Sequence, residues 1–323
     1  MTMTVGAEVG TNDAAETVGP QWPMVTAIIA TRGRPGMLRM AIHSILEQDY
    51  SGEVELLVVF DQTDVEDFSD ISLAENRTIR VLQNTRTPGL TGGRNTGINA
   101  ATGTYVAFCD DDDEWLPGKL SAQVRAWRET PEAVGITTGI RIVSPGGEHV
   151  RVARNIVTFS DFLASRVQEI HPSSFLWRRS DLLGRVGLID EQIPASYGED
   201  YDLLLRATRI GGLRCVRDPL VVVHWNRASF FDGRWQAIAD GLTYLLRKYP
   251  EFDRSDIGTA RIAAQVAFAY AALGGRKRAW VWARYALGRD HKQLRAYAAL
   301  LVASRLLPAS ALVRFANRRG RGI

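Results

Sequence analysis

Cysteine is scarce: Cys109 and Cys215 are the only two in 323 residues. Two cannot build a disulfide framework. Each sits in an apolar stretch, so both are expected to be buried free thiols, which suits a reducing, cytoplasmic compartment. Long apolar runs are missing as well. No segment reaches the roughly 18 uninterrupted apolar residues of a membrane-spanning helix. Residues 1–22 hold no Lys or Arg and no apolar centre, so they do not resemble a secretory signal. With Glu8, Asp13, Glu16 and many small residues, they are expected to form a disordered tail. No GxGxxG follows the first strand-like run, which argues against a dinucleotide-binding oxidoreductase. No internal repeat stands out. Acid is nearly absent from the C-terminal end: residues 271–323 carry twelve Lys or Arg and one acid, Asp290, while the net charge is only +3. Such an end suits either a solvated helical surface or a face for an anionic surface.

What is present is the composition of a soluble globular protein, with 46% hydrophobic and 23% charged residues. The length suits one large domain or two ordinary ones. Strand and helix signals alternate through the first half. "MVTAIIAT" (24–31), "VELLVVFD" (54–61), "TIRVLQN" (78–84) and "TYVAFCD" (104–110) are apolar strand runs. "PGMLRMAIHSILEQ" (35–48), the Gly-rich "GLTGGRNTGINAATG" (89–103) and "KLSAQVRAWRE" (119–129) have helical spacing. That rhythm predicts βαβ units and a largely parallel sheet, whose ligands bind beyond the carboxyl ends of the strands. The second half adds strands at 133–144, 173–179 and 219–225 and helices at 158–165 and 197–212. From Phe231 onward the pattern is helical, with breaks near 249–256 and at Gly274–Gly275.

Three polar clusters fall at expected strand ends: Thr31 to Arg34, Asp61, and the run Asp110–Asp113 followed by Glu114, Trp115 and Pro117. Five adjacent carboxylates repel one another, so a cation or a basic partner must offset the cost. Hard oxygen donors at a strand end suit Mg²⁺ or Mn²⁺, held by one or two carboxylates together with substrate phosphates. Arg32, Arg34 and Arg94 are the basic groups nearby, and Arg94 in "GGRN" lies where a helix begins. "YGED" places Glu199 and Asp200 at another helix start, where the helix dipole favours the ionised form.

Taken together, "VTAIIATRGRPGMLRMAIHSILEQDY", "VELLVVFDQTD", "GLTGGRNTGINAATGTYVAFCDDDDEWLPGKL" and "GEDYDLLLRATRIGG" resemble a family 2 glycosyltransferase of the GT-A fold, over roughly residues 24–226. The resemblance implies an α/β fold with a mostly parallel sheet. It implies a GT-A domain over 23–232 and a C-terminal helical region over 233–323. It also implies an inverting, metal-dependent hexosyltransferase of polysaccharide biosynthesis. Thr31, Arg32, Arg34 and Asp61 would hold the base and ribose of the donor, by default a UDP-sugar, and Arg94 would face the nucleotide or its diphosphate. Asp110, Asp111 and Asp112 would form the DXD region. There Asp111 would approach the ribose, and Asp112, with Asp110, would hold Mn²⁺ or Mg²⁺. Asp200 would be the catalytic base, with Glu199 the next candidate, and His224 a late metal or phosphate contact. Two features depart from the family pattern: Arg32 and Gly33 replace an aromatic residue and an Asn, and Phe60 precedes a single Asp61.

Acceptor contacts are expected from loops 144–172 and 225–235, with His171, Trp177, Trp225 and Trp235 as stacking candidates. The acceptor would be a glycan or a lipid-linked saccharide, with no nucleic-acid partner. The apolar but interrupted stretch 295–317, including Leu300, Leu301, Leu306, Leu307, Leu312, Val313 and Phe315, followed by Arg318, Arg319 and Arg321, suits peripheral contact with an anionic membrane. A nucleotidyltransferase remains an alternative, since "TRGRPG" partly fits its first loop. So does a non-catalytic sugar-nucleotide binder.

Overall fold

The computed structural model describes residues 22–225 and 233–318, with side chains up to 314. The expected N-terminal tail, except Trp22, and most of loop 225–235 lie outside the described residues, as do the side chain of Phe315 and residues 319 and 321.

The strands are β1 (Val25–Thr31), β2 (Val54–Phe60), β3 (Arg77–Gln83), β4 (Tyr105–Asp110), β5 (Glu114–Trp115), β6 (Gly135–Ser144), β7 (Gly147–Arg151), β8 (Ile156–Val157), β9 (Leu176–Arg178) and β10 (Leu213–His224). The helices are α1 (Pro35–Leu46), α2 (Leu90–Ala100), α3 (Lys119–Glu129), α4 (Phe159–Ala164), α5 (Arg179–Leu183), α6 (Glu199–Thr208), α7 (Trp235–Lys248), α8 (Asp256–Ala272), α9 (Arg276–Arg289), α10 (Leu294–Ala303) and α11 (Ala309–Arg318). The sheet runs β3-β2-β1-β4-β9-β6-β10-β5, with β7 paired to β6 and β8 to β10. β3, β2, β1 and β4 are mutually parallel. β9 enters antiparallel between β4 and β6, and β6 and β10 are again parallel.

The inner parallel strands β2, β1 and β4 are near-continuous apolar runs because both faces are covered, while the edge strand β3 is partly exposed. In β1, Ala27 and Ile29 join a core with Leu38 and Ile42 of α1 and Leu120 and Val124 of α3, while Ile28 points the other way. Leu57 and Val59 of β2, and Val106 and Phe108 of β4, share that second face with Ile98 of α2 and Leu204 of α6. The glycines of α2 permit its close approach to β1: a Cβ on Gly97 would lie 2.5 Å from Ile28 Cγ2. Both cysteines are buried free thiols. No described helix is long and apolar enough to cross a membrane.

The second core continues into the C-terminal helices: Leu242 and Leu245 of α7 and Ile262 and Val266 of α8 pack with Tyr201 and Phe252. Beyond it, alanines of α8, α9 and α10, such as Ala267, Ala283 and Ala299, form a separate small-residue core. The structure differs from the sequence reading in three places. β10 starts earlier than the expected 219 because Leu213 and Cys215 are fully buried in the sheet. Trp177 is core, in edge contact with Phe175 at 5.5 Å, and is therefore not available to a sugar. Leu312 and Val313 are half-buried against the alanine core instead of lying in an outward patch.

Candidate active site

The parallel register aligns the polar ends of the strands. Thr31 follows Ala30, which pairs with Asp110 across β1 and β4, and Thr31 itself pairs with Phe60, the residue before Asp61. The chain turns sharply after Asp110, and β5 carries it back against β10. The five acids are thus held at one sheet edge, and each has a partner, Asp111 and Asp112 sharing one.

Asp110 is bound by Arg94. Asp111 accepts from the Thr31 hydroxyl at 2.7 Å and from Arg34 at 3.1 Å, and Asp112 accepts from the same Arg34 nitrogen at 2.8 Å. Asp113, almost fully buried, accepts from the Ser173 hydroxyl at 2.5 Å and lies 3.3 Å from Nδ1 of His171. Glu114 meets Nε2 of His224 at 2.6 Å. Burial raises the carboxyl pKa of Asp111, Asp112 and Asp113 despite these partners, with neighbouring carboxylates adding to the shift. Part of that shift is repulsion among the carboxylates, which a divalent cation would relieve.

The donor set fits such a cation. Asp110, Asp113 and His171 can each bring one ligand atom within 4.8 Å of the others. Burial lowers the His171 imidazole, so it is neutral and able to ligate at pH 7. The histidine beside the aspartates is thus His171, which the sequence reading had placed among the stacking candidates. The His224 ring is taken up by Glu114, across the β5–β10 pairing. Asp112 is the most open of the cluster's paired aspartates, its side chain 27% exposed against 3% for Asp113.

Arg94 has a different setting from the expected one. It is the fifth residue of α2, is buried, and lies over the Phe108 ring. Its guanidinium binds Asp110 on one side and Glu199 on the other. It therefore ties the end of β4 to the start of α6 instead of standing open toward a diphosphate. Arg32, by contrast, is half-exposed 3.8 Å from Asp61, which also accepts from Asn84 at 2.8 Å. Thr31, Arg32, Arg34, Asp61 and Asp111 thus line one edge of the sheet.

The acidic start of α6 follows Gly198, whose φ of +87° is open to glycine at little cost. Its three first-turn acids have separate environments. Asp202 is fully buried and held by Lys248, Arg206 and Tyr249 of the surrounding core. Glu199 binds Arg94, its Oε2 is buried without a partner, and burial outweighs the pull of Arg94 to bring its carboxyl up to about 7. Both oxygens of Asp200 accept from Nη2 of Arg166, at 2.7 and 2.6 Å. Burial alone would raise the Asp200 carboxyl, but the guanidinium prevails and holds it below its usual range. Arg166 belongs to the loop after α4, within the expected acceptor loop 144–172. Nothing in its local sequence marks it out. Trp235 packs edge-on against Phe268 at 5.7 Å and lines a cavity with Tyr197 and Arg295. Trp225, at the end of β10, is exposed under Arg151, 4.7 Å from the guanidinium carbon.

Comparisons with known proteins bear on the family and the fold. Residues 26–182 match the family described as Glycosyl transferase family 2. The UDP-Glc:alpha-D-GlcNAc-diphosphoundecaprenol beta-1,3-glucosyltransferase WfgD of Escherichia coli is 31% identical over 101 residues, covering 31% of this chain and 40% of that enzyme. The amylovoran biosynthesis glycosyltransferase AmsB of Erwinia amylovora is 26% identical over 234 residues, 66% of this chain and 73% of that protein. The crystal structure of S. aureus TarS 1-349 in complex with UDP-GlcNAc superposes with a TM-score of 0.55 at 15% identity, covering 92% of both chains. At that identity the likeness is one of fold. A doubly covered parallel sheet, an acid cluster at its carboxyl edge and a match through β1 to α5 converge on one assignment: residues 26–182 form a glycosyl transferase family 2 domain, with the GT-A fold.

Proposed function

We propose that the protein transfers a hexosyl group from a UDP-sugar to a hydroxyl of a lipid-linked saccharide or a growing glycan, with inversion at the anomeric carbon. The observation that carries this reading is the Arg94 bridge. One buried guanidinium holds the end of the acid cluster, Asp110, beside the acidic start of α6. A donor diphosphate at the first and an acceptor hydroxyl at the second would then meet across a short gap. The relatives that act on diphosphoundecaprenol-linked sugars and the UDP-GlcNAc complex of TarS support the choice of donor and acceptor.

Thr31, Arg32 and Asp61 are placed to receive the nucleoside, with Asp111 oriented by the Thr31 hydroxyl. A divalent ion, Mn²⁺ or Mg²⁺, would be held by Asp112 and Asp110, with Asp113 and His171, whose ligand atoms lie within 4.8 Å of each other and of Asp110, as further donors. Bound there, it would stabilise the charge that grows on the departing diphosphate. The acceptor oxygen forms the new bond to the anomeric carbon as the bond to the diphosphate oxygen breaks. The acceptor proton passes to Asp200. Because Asp200 is held below its usual pKa, it is in the basic form at neutral pH. Arg166 must loosen its two contacts as the acceptor enters. A second reading assigns the proton to Glu199, whose Oε2 is unpaired and whose carboxyl lies near 7.

The test is product analysis with a panel of UDP-sugars and Mn²⁺. Release of UDP, first by slow hydrolysis and then faster with acceptor, supports sugar transfer. Release of pyrophosphate would indicate a nucleotidyltransferase, and no turnover with retained UDP binding a non-catalytic binder. Asp200→Asn should lower turnover by ~10²-fold or more with donor affinity unchanged. Intact turnover in that variant, with loss in Glu199→Gln, would move the base to Glu199.

A further inference from the structure

The outer side of α10 departs from an ordinary helix surface. Its inner residues Ala296, Ala299 and Ala303 are buried against α8 and α9. On the opposite side Leu294, Tyr297 and Leu301 recur at i, i+3 and i+7, and they are 76%, 44% and 38% exposed. The stripe continues past the C-terminus of α10 into Leu306 and Leu307, which are 71% and 40% exposed. On α9, Trp280, Val281 and Tyr285 are exposed too. Nearly half of all exposed large apolar side chains among the described residues fall in these two helices and the turn that follows.

The charged residues among them are cations with one exception, Asp290 in the turn between α9 and α10. Lys277, Arg278, Arg284, Lys292, Arg305 and Arg314 are all exposed, and no acid follows Asp290. Scattered apolar residues on a surface need no explanation, but a run this concentrated marks a contact face. Apolar side chains interleaved with many cations and a single acid match the boundary of an anionic bilayer, where the apolar groups enter the acyl layer and the cations meet lipid phosphates. A second copy of the same face is a poorer partner, because two strongly basic surfaces repel each other.

The same helix reaches toward the active site. Arg295 lies on the inner side of α10 and lines a cavity with Tyr197, Trp235, Ile238, Gln265 and Phe268. Tyr197 precedes the Gly198–Glu199–Asp200 turn. A helix with its side chains is ~10–12 Å across. The cavity beside the acidic start of α6 is therefore about one helix thickness from the exposed stripe. We propose that the outer face of α9, α10 and the 304–308 turn docks on an anionic lipid bilayer, with the Tyr197–Arg295 cavity behind α10 on its inner side. The benefit of such docking rests on the lipid-linked acceptor proposed above, but the docking itself does not.

The experiment uses the full chain and vesicles that contain no acceptor: phosphatidylcholine alone, or with phosphatidylglycerol. Co-sedimentation with the anionic vesicles at low salt, reversed at high salt and weak with neutral ones, is the expected result. The triple substitution Leu294→Ser, Leu301→Ser, Leu306→Ser should reduce that binding tenfold or more, as should Lys292→Glu with Arg305→Glu. UDP binding and melting temperature of both variants should match the parent, which separates a docking defect from misfolding. Absence of sedimentation by the parent, or undiminished binding by both variants, overturns the proposal. So does a dimer in sedimentation velocity that the triple variant dissociates, because the face would then be occupied by a second copy. Failure of the function proposed above would appear as loss of UDP binding or of UDP release, neither of which the vesicle assay reads.

Discussion

Replacing Arg94 by Met would test how the site is assembled. The guanidinium is 3% exposed and bridges Asp110 and Glu199. Its removal leaves two carboxylates facing each other with no cation between them. Breaking a buried pair by deleting one partner costs about 3–5 kcal/mol. A chain of this length unfolds with an entropy near ~0.7 kcal/mol/K, so the melting temperature should fall by roughly 4–7 °C at pH 8. The loss should depend on pH, with a definite sign. Burial already brings Glu199 up to about 7, against the opposing pull of Arg94. Without Arg94 its pKa rises further. A carboxyl raised in the folded state favours folding as pH falls, because the folded protein then holds a proton that the unfolded chain gives up. The deficit of Arg94→Met relative to the parent should therefore shrink between pH 8 and pH 6, and Arg94→Met combined with Glu199→Gln should recover part of it at pH 8. Thermal melts at the two pH values measure this. An equal deficit at both, or one below about 1 kcal/mol, would refute the idea that Arg94 holds two ionised carboxylates together.

Other substitutions bear on neighbouring parts of the site. Asp112→Ala removes a carboxylate whose pKa is raised by burial and by Asp110 and Asp111. The protein should melt no lower than the parent, yet lose activity and the Mn²⁺-dependent rise in melting temperature with UDP; normal activity would remove Asp112 from the metal assignment. Glu191 is lowered from 4.5 to about 2 by contacts with Thr87, Asn95 and Arg86 that outweigh its burial. Its stabilisation is full above pH 4.5 and is lost as pH falls through about 2. Glu191→Gln should therefore cost at most about 3 kcal/mol at pH 7, and the gap to the parent should narrow in melts near pH 3. A Cβ on Gly92 would lie 1.8 Å from the Thr87 carbonyl oxygen, a backbone atom with little freedom to move. Gly92→Ala should destabilise by about 1–3 kcal/mol, and an unchanged melting curve would show that the 87–89 turn yields easily.

The local sequence was enough to place the first half of the sheet. Runs such as Val54–Phe60 are apolar at every position but Glu55, which in a chain that alternates strands with helices means burial on both faces. The cluster at the end of β4 was legible for the same reason: an apolar strand that stops at Asp110 must leave the next acids at the sheet edge. The break at Gly274–Gly275 and the helical C-terminal region followed from Gly placement and apolar spacing. Pairing across the chain was not legible. Arg94 was expected to face phosphate because its neighbours are glycines at a helix start, but the packing of α2 on β1 turns it inward to Asp110 and Glu199, the latter 105 positions away. Arg166 reaches Asp200 from a loop with no motif, and His171 comes to Asp113 because a short turn docks on β4, with Ser173 donating to Asp113 and receiving the Asp110 N–H. His224 was expected as a late metal or phosphate contact, and the pairing of β5 with the end of β10 sets its ring against Glu114, which the local sequence does not announce. A residue's type and its immediate neighbours set which element it joins and which chemistry it can perform. Its partner depends on strand order, register and the approach of helices, because a buried charge binds whichever opposite charge the packing brings within reach.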